Sequence, residues 1–204
     1  MSYNHDTDPR TTRSLTAYRK ALTELLQDKS LEEITVTELS AKAGYHRSTF
    51  YRHYNHVAEL FDEVQAEMLD QFEAIMSRYP VQGEAHAGIL GRDARTTIQI
   101  LDETFTMIKE NASFASVLLA NPMESQLLHS ILETGRTYTV KQWPHALPSH
   151  DVDYYDRYYT FITGGFIATI QRWLTEGMQF STRELAQLCY DFITLGTHNK
   201  RNKR

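Results

Sequence analysis

Seven side chains able to grip a polyanion or read a base edge crowd residues 47–54: Arg47, Ser48, Thr49, Tyr51, Arg52, His53 and Tyr54. No acidic residue falls between Leu39 and Ala58, whereas Lys42, Arg47 and Arg52 are basic. A short acid-free run of cations, hydroxyls and aromatic rings has the chemistry of a duplex-DNA contact. Arg47 can meet guanine O6 and N7 bidentately, a pairing worth about 1–3 kcal/mol of discrimination, or can hold a phosphate instead. Thr49 offers its methyl to thymine or its hydroxyl to a phosphate. For Tyr51 and Tyr54, a phosphate contact through the hydroxyl competes with plain core packing. Arg52 can bind phosphate or pair with an acid on a neighbouring helix.

Other chemistries fit poorly. His53 and His56 stand three apart, but no Cys, Asp or Glu between Leu39 and Ala58 completes a metal shell, so no metal is expected. His129, His145 and His150 are scattered, with no group beside them to orient an imidazole for catalysis. No Gly-rich phosphate loop and no Ser or Cys nucleophile motif is found. The expectation is therefore a binding protein, not an enzyme, with no cofactor.

The elements that carry this stretch read as helices. Thr35-Val36-Thr37-Glu38 has the pattern of a capping box opening a short helix through Val36, Leu39, Ala41 and Ala43. Gly44 ends it, since glycine tolerates a left-handed turn. A further helix is expected from Arg47 to Tyr54, anchored inward by Phe50, which makes residues 35–54 a helix-turn-helix. Before it, Asp8-Pro9 starts a helix of about Arg10 to Gln27 through Leu15, Tyr18, Leu22, Leu25 and Leu26. Arg10, Arg13, Arg19 and Lys20 lie on its polar side. After it, Val57–Tyr79 reads as one long helix of roughly 35 Å, enough to connect two domains.

The remainder is also helical in pattern: Ala94–Asn111, Ala112–Leu119, about Met123 to Lys141, Tyr154–Glu176, and a last helix opened by a second capping box, Ser181-Thr182-Arg183-Glu184. Loops are expected at Pro80 to Gly91 and around Pro144 and Pro148. Tyr154–Glu176 is apolar around well over half its circumference and so needs a partner beyond its own domain. That argues for a dimer through Tyr155, Tyr159, Phe166, Ile170 and Trp173, joined by Leu188 and Phe192 of the last helix, as a four-helix bundle about a two-fold axis. Gly164-Gly165 suggests close backbone approach there. A ligand pocket among these helices has Phe105, Met107, Phe114, Leu118, Trp143, Tyr158 and Phe161 as candidates, each of which ordinary core packing also explains.

Composition agrees. The 204 residues contain 41% hydrophobic residues, a single cysteine (Cys189) and a net charge of −5. One cysteine excludes an internal disulfide and a multi-cysteine zinc site. With no apolar leader and no stretch near the roughly 20 residues of a membrane span, a cytoplasmic protein is expected. The acidity is unevenly spread. Residues 1–56 carry eight Lys/Arg against seven Asp/Glu, and residues 57–199 nine against nineteen. Salt screens charge beyond about 8–10 Å, so the local field governs contact with phosphate. The last residues, with Lys200, Arg201, Lys203 and Arg204, read as a solubilising end.

The basic amphipathic first helix, ITVTELSAKAG, the turn, and STFYRHY followed at once by a long helix resemble the TetR family of transcriptional regulators over about residues 10–70. Residues 158–185 also resemble, more loosely, the TetR subgroup that includes the dihydroxyacetone-kinase operon regulator. The resemblance implies an all-α fold of about nine helices: a three-helix helix-turn-helix DNA-binding domain over 10–70 and an effector-binding and dimerisation domain over 71–198, with tails at 1–9 and 199–204. It implies a homodimer on a pseudo-palindromic operator, most often a repressor released by a small molecule. An activator answering to a protein coregulator is the alternative within the family, and a helical enzyme or carrier the remote one. By position, the family's DNA contacts fall on Thr37, Arg47, Ser48, Thr49, Tyr51 and His53. Three positions depart from the pattern. Thr37 stands where arginine is frequent, Val57 where a phosphate-gripping lysine is usual, and Tyr45-His46 where a small apolar and a capping residue are usual.

Overall fold

A computed structural model describes residues 9–79, 93–120, 122, 125–139 and 152–198. Among them the secondary structure is helical and no strand occurs. The helices are α1 (Pro9–Leu25), α2 (Val36–Ala43), α3 (Arg47–Phe50), α4 (Val57–Arg78), α5 (Ala94–Glu110), α6 (Ala112–Ala120), α7 (Gln126–Thr139), α8 (Val152–Thr175) and α9 (Thr182–His198), with a 3-10 turn at Leu31–Glu33. The expected Asp8 cap, both proline-containing loops and both chain ends fall outside the described residues.

The chain divides into two compact units, Met1–Met68 and Leu69–Arg204, so α4 contributes its first half to one and its second half to the other. In the first unit the apolar faces of α1, α2 and α3 meet the start of α4 around Tyr18, Leu22, Ile34, Leu39, Phe50, Tyr54, Val57 and Leu60. Tyr18 and Phe50 meet edge to face, centroids 5.3 Å apart and planes at 78°, the geometry that sets a positive ring edge on a negative ring face. Burying each such ring stabilises by about 1.5–3 kcal/mol, which is how a helix as short as α3 stays folded.

In the second unit α5 is buried on two sides. Ile98, Leu101 and Phe105 pack with Leu119, Ile170, Trp173, Leu185 and Cys189, while Ile100 and Met107 pack with Phe72, Ile75 and Met76 of α4. A third cluster gathers Tyr155, Tyr159 and Ile162 of α8. The helix ends obey local rules. Asp93 caps α5, accepting from the Thr96 amide at 3.1 Å and its hydroxyl at 2.7 Å, which holds the Asp93 carboxyl below its usual range. The box at α9 is reciprocal, with the Glu184 amide donating to Ser181 Oγ at 3.2 Å and the Ser181 amide to Glu184 at 2.8 Å. These bonds hold the Glu184 carboxyl low as well. α8 ends at Gly177, φ 76°.

Candidate DNA-contacting face

The reading head is assembled from caps. Thr35 Oγ1 accepts from the Glu38 amide at 3.2 Å and opens α2. The expected return bond from Glu38 is replaced by an ion pair with Lys29 at 2.6 Å, so the box is half made. Gly44 takes φ 76°, and the amides of Gly44 and Tyr45 close onto Ala41 and Ser40, 3.3 and 3.1 Å away. This is the left-handed termination that a Cβ would strain.

α3 is shorter than the periodicity predicts. Its regular part is a single turn, Arg47–Phe50, and residues 51–53 continue as turns, with the Tyr54 amide donating to Phe50 at 3.0 Å. Phe50 is buried as expected. Tyr51 is 56% exposed and Tyr54 only 6%. Tyr54 belongs to the core, its ring 5.4 Å from Phe50, and so leaves the set of contact residues. Burial, and then the Glu63 carboxylate beside it, push its hydroxyl well above the usual phenol range.

The remaining candidates divide by exposure. Thr37, Arg47, Ser48, Tyr51 and Arg52 are exposed, and Thr49 and His53 are half-buried. Three cations of this unit are held by carboxylates. Arg19 holds Glu67 with both terminal nitrogens, at 2.7 and 2.5 Å, and Glu63 at 2.7 Å. Lys42 faces Glu24 at 3.1 Å, and Lys29 faces Glu38. Arg47 and Arg52 make no ion pair among the described residues, so the alternative of a neighbouring acid for Arg52 is not realised there. Val57, where a lysine clamp is usual, is buried in the core and presents nothing to a phosphate. His56 pairs with Glu59 at 3.1 Å, and no group of three potential metal ligands occurs among the described residues.

Two features escaped the sequence reading. His46, read as a departure in the turn, is the N-cap of α3: its Nδ1 lies 3.3 Å from the Ser48 amide nitrogen and 2.9 Å from Ser48 Oγ. The substituted capping position was the available signal. The junction of Arg19, Tyr54, Glu63 and Glu67 left none, because its members are up to 48 residues apart.

In the second unit the ligand candidates are not gathered in one place. Phe105 lies in the α5–α8–α9 core, Met107 in the α4–α5 cluster and Tyr158 against the Tyr155 cluster; Phe114 is buried and Leu118 half-buried on α6. Phe161 is 79% exposed, so it lines no interior. Trp143 lies outside the described residues. Of the expected dimer residues, Tyr155, Tyr159, Ile170 and Trp173 are buried within the chain itself, because α8 uses that side for its own core. Phe166 and Leu188 are half-buried, and Phe192 is 56% exposed. A Cβ added at Gly164 or Gly165 would meet nothing within 4 Å, so the close approach expected there does not occur within one subunit. No described helix is long and apolar enough to cross a membrane.

Residues 95–195 match the TetR family model described as a transcriptional regulator C-terminal region. No curated protein sequence matches the chain. Among solved structures, a TetR-like transcriptional regulator from Rhodococcus sp. RHA1 is similar at 18% identity and a TM-score of 0.64, covering 94% of this chain and 98% of that one. The dihydroxyacetone kinase operon activator DhaS is similar at 13% identity and a TM-score of 0.54, covering 90% and 95%. FadR from Bacillus subtilis, solved in complex with stearoyl-CoA, is similar at 14% identity and a TM-score of 0.58, covering 87% and 96%. The all-helical fold is thus shared along nearly the whole length. Over residues 95–195 the chain carries the C-terminal region of the TetR family of transcriptional regulators.

Proposed function

We propose that the protein is an effector-responsive repressor, acting as a homodimer that sets residues 47–53 of each subunit into the major groove of a pseudo-palindromic operator. The observation that carries this reading is the charge arrangement at the head. Arg47 and Arg52 stand exposed in an acid-free stretch, while Arg19, Lys29 and Lys42 are each paired with a carboxylate. Unpaired guanidiniums lose no partner on meeting a phosphate or a guanine edge. In this reading Arg47 reads a base, Tyr51 and Arg52 hold phosphates, and Thr37, Ser48, Thr49 and His53 border the contact.

For the dimer, the exposed large hydrophobic side chains of the second unit include Phe161 and Tyr154 on α8, Phe180 between α8 and α9, and Phe192 on α9, with Gly164 and Gly165 open to solvent on α8. Apolar bulk beside bare backbone suits an isologous helix–helix contact. The effector is assigned to residues 71–198, the part that resembles the effector domains of the family. FadR, solved in complex with stearoyl-CoA, is a precedent for a ligand on this fold.

Binding to duplexes selected from a randomised pool, titrated against salt, tests the DNA reading. Several phosphate contacts give a steep negative slope of log affinity against log salt, and a flat slope would refute it. Sedimentation at micromolar concentration tests the dimer, since a sole 23.7-kDa species would rule it out. A promoter carrying the selected site should be more active without the gene than with it; the opposite would make the protein an activator.

A further inference from the structure

His46 has two edges, and the fold uses only one. Its Nδ1 lies 3.3 Å from the Ser48 amide nitrogen and 2.9 Å from Ser48 Oγ. An amide can only donate, so Nδ1 must offer a lone pair, and the ring hydrogen then sits on Nε2. Nε2 is at the far side of the ring from the helix it caps, and His46 is an exposed residue. The backbone at this point is held as well, because the Tyr18 hydroxyl donates to the His46 carbonyl at 3.3 Å and Tyr18 is fully buried. The cap thus fixes the tautomer and the ring, and the Tyr18 bond fixes the backbone. What remains is an outward N–H donor next to Arg47, with no partner of its own among the described residues.

We infer that His46 is a phosphate contact of the reading head, donating Nε2–H to a backbone phosphate oxygen beside the start of α3, an inference that rests on the DNA-binding reading above. A serine or threonine at a helix N-cap spends its short side chain on the helix. An imidazole spans the distance, capping with one nitrogen and reaching outward with the other. The contact supplies a grip where two others are missing, since Val57 is buried and Thr37 carries no charge. It is made to the sugar-phosphate chain and carries no sequence preference. Because the donor is neutral, it neutralises no phosphate and leaves the salt slope unchanged.

Two measurements test this. Long-range proton–nitrogen correlation spectra of the free protein at pH 8 should show His46 as the Nε2–H tautomer; the Nδ1–H tautomer would overturn the inference. His46→Ser retains an N-cap acceptor but removes the outward donor. Its thermal midpoint should match the wild type. Its affinity for a labelled duplex, selected by the wild-type protein from a randomised pool, should fall about tenfold for each subunit in contact, the size expected of a hydrogen bond to a charged group. The sequence it selects and its salt slope should not change. Equal affinity overturns the inference, as does a loss of affinity that follows a lowered midpoint, which would leave His46 a cap and nothing more. A wild-type protein that binds no duplex overturns the DNA-binding reading as well, so the two failures are distinguishable.

Discussion

Replacing Gly135 with alanine tests how α7 is held against α8. Propensity alone predicts a gain, because alanine in a helix interior is favoured over glycine by about 0.8–1 kcal/mol. The tertiary structure reverses the sign. A Cβ at Gly135 would sit 2.6 Å from Tyr159 Oη, well inside the 3.4 Å at which ordinary contact begins. That hydroxyl has little freedom to retreat. It donates to the Leu132 carbonyl at 2.7 Å, its ring lies under the Arg136 guanidinium at 5.5 Å, and the residue is 6% exposed. Arg136 is itself tied to Asp156 and Glu133. Moving the hydroxyl breaks its bond and leaves a buried polar group unpaired, at about 1–3 kcal/mol, and loosens a cation–π contact of about 0.5–1 kcal/mol. After the propensity gain, Gly135→Ala should destabilise the protein by about 1–3 kcal/mol. The thermal midpoint should fall by about 2–4 °C for each kcal/mol in a chain of this size. Circular dichroism at fixed protein concentration measures it. Tyr159→Phe removes the colliding oxygen, so the double variant should be more stable than the sum of the single changes by about 1 kcal/mol or more. A Gly135→Ala protein at or above wild-type stability would refute the reasoning, as would additive single changes.

Three further outcomes are expected. Thr35→Ala removes the cap of α2 and should cost about 1 kcal/mol in urea unfolding, whereas Glu38→Gln breaks only a solvent-screened surface pair and should cost less than the cap does; the reverse order would show the cap to be unimportant. Burial pushes the Cys189 thiol up to about 12, so at pH 8 a thiol reagent should label the native protein far more slowly than the denatured one, and rapid native labelling would contradict that placement. The sign follows for stability: the raised folded value makes this contribution complete below the unfolded thiol value of about 8.5, and it is lost as pH climbs from there towards about 12. Arg47→Ala should broaden the sequences selected from a randomised pool, while Tyr51→Phe weakens all of them alike; an unchanged motif for Arg47→Ala would remove it from base reading.

Wherever a decision was local, the sequence alone was sufficient. Thr35, Gly44 and the Ser181–Glu184 box mark their helix ends because each bond spans only a few residues of backbone. Phe50 and the stripe of α5 announce buried faces because helical spacing puts them on one side. The aromatic-rich head and its acid-free run are likewise legible without coordinates. Other decisions needed contacts between residues far apart. Tyr51 and Tyr54 are the same residue type three apart, and only the packing of Phe50 against Tyr18 and of Tyr54 beside Glu63 decides which is buried. The aromatic residues of α8 look alike in sequence, yet Tyr155, Tyr159 and Trp173 are used in the chain's own core while Phe161 is left outside. Arg19 and Arg52 look equally free until Glu63 and Glu67 claim Arg19 across more than forty residues. His46 shows both levels at once. A one-turn helix needs an N-cap for its orphan amides, a local rule, but that a histidine would meet it with one nitrogen and keep the other outward depends on the backbone being pinned by a tyrosine 28 residues away.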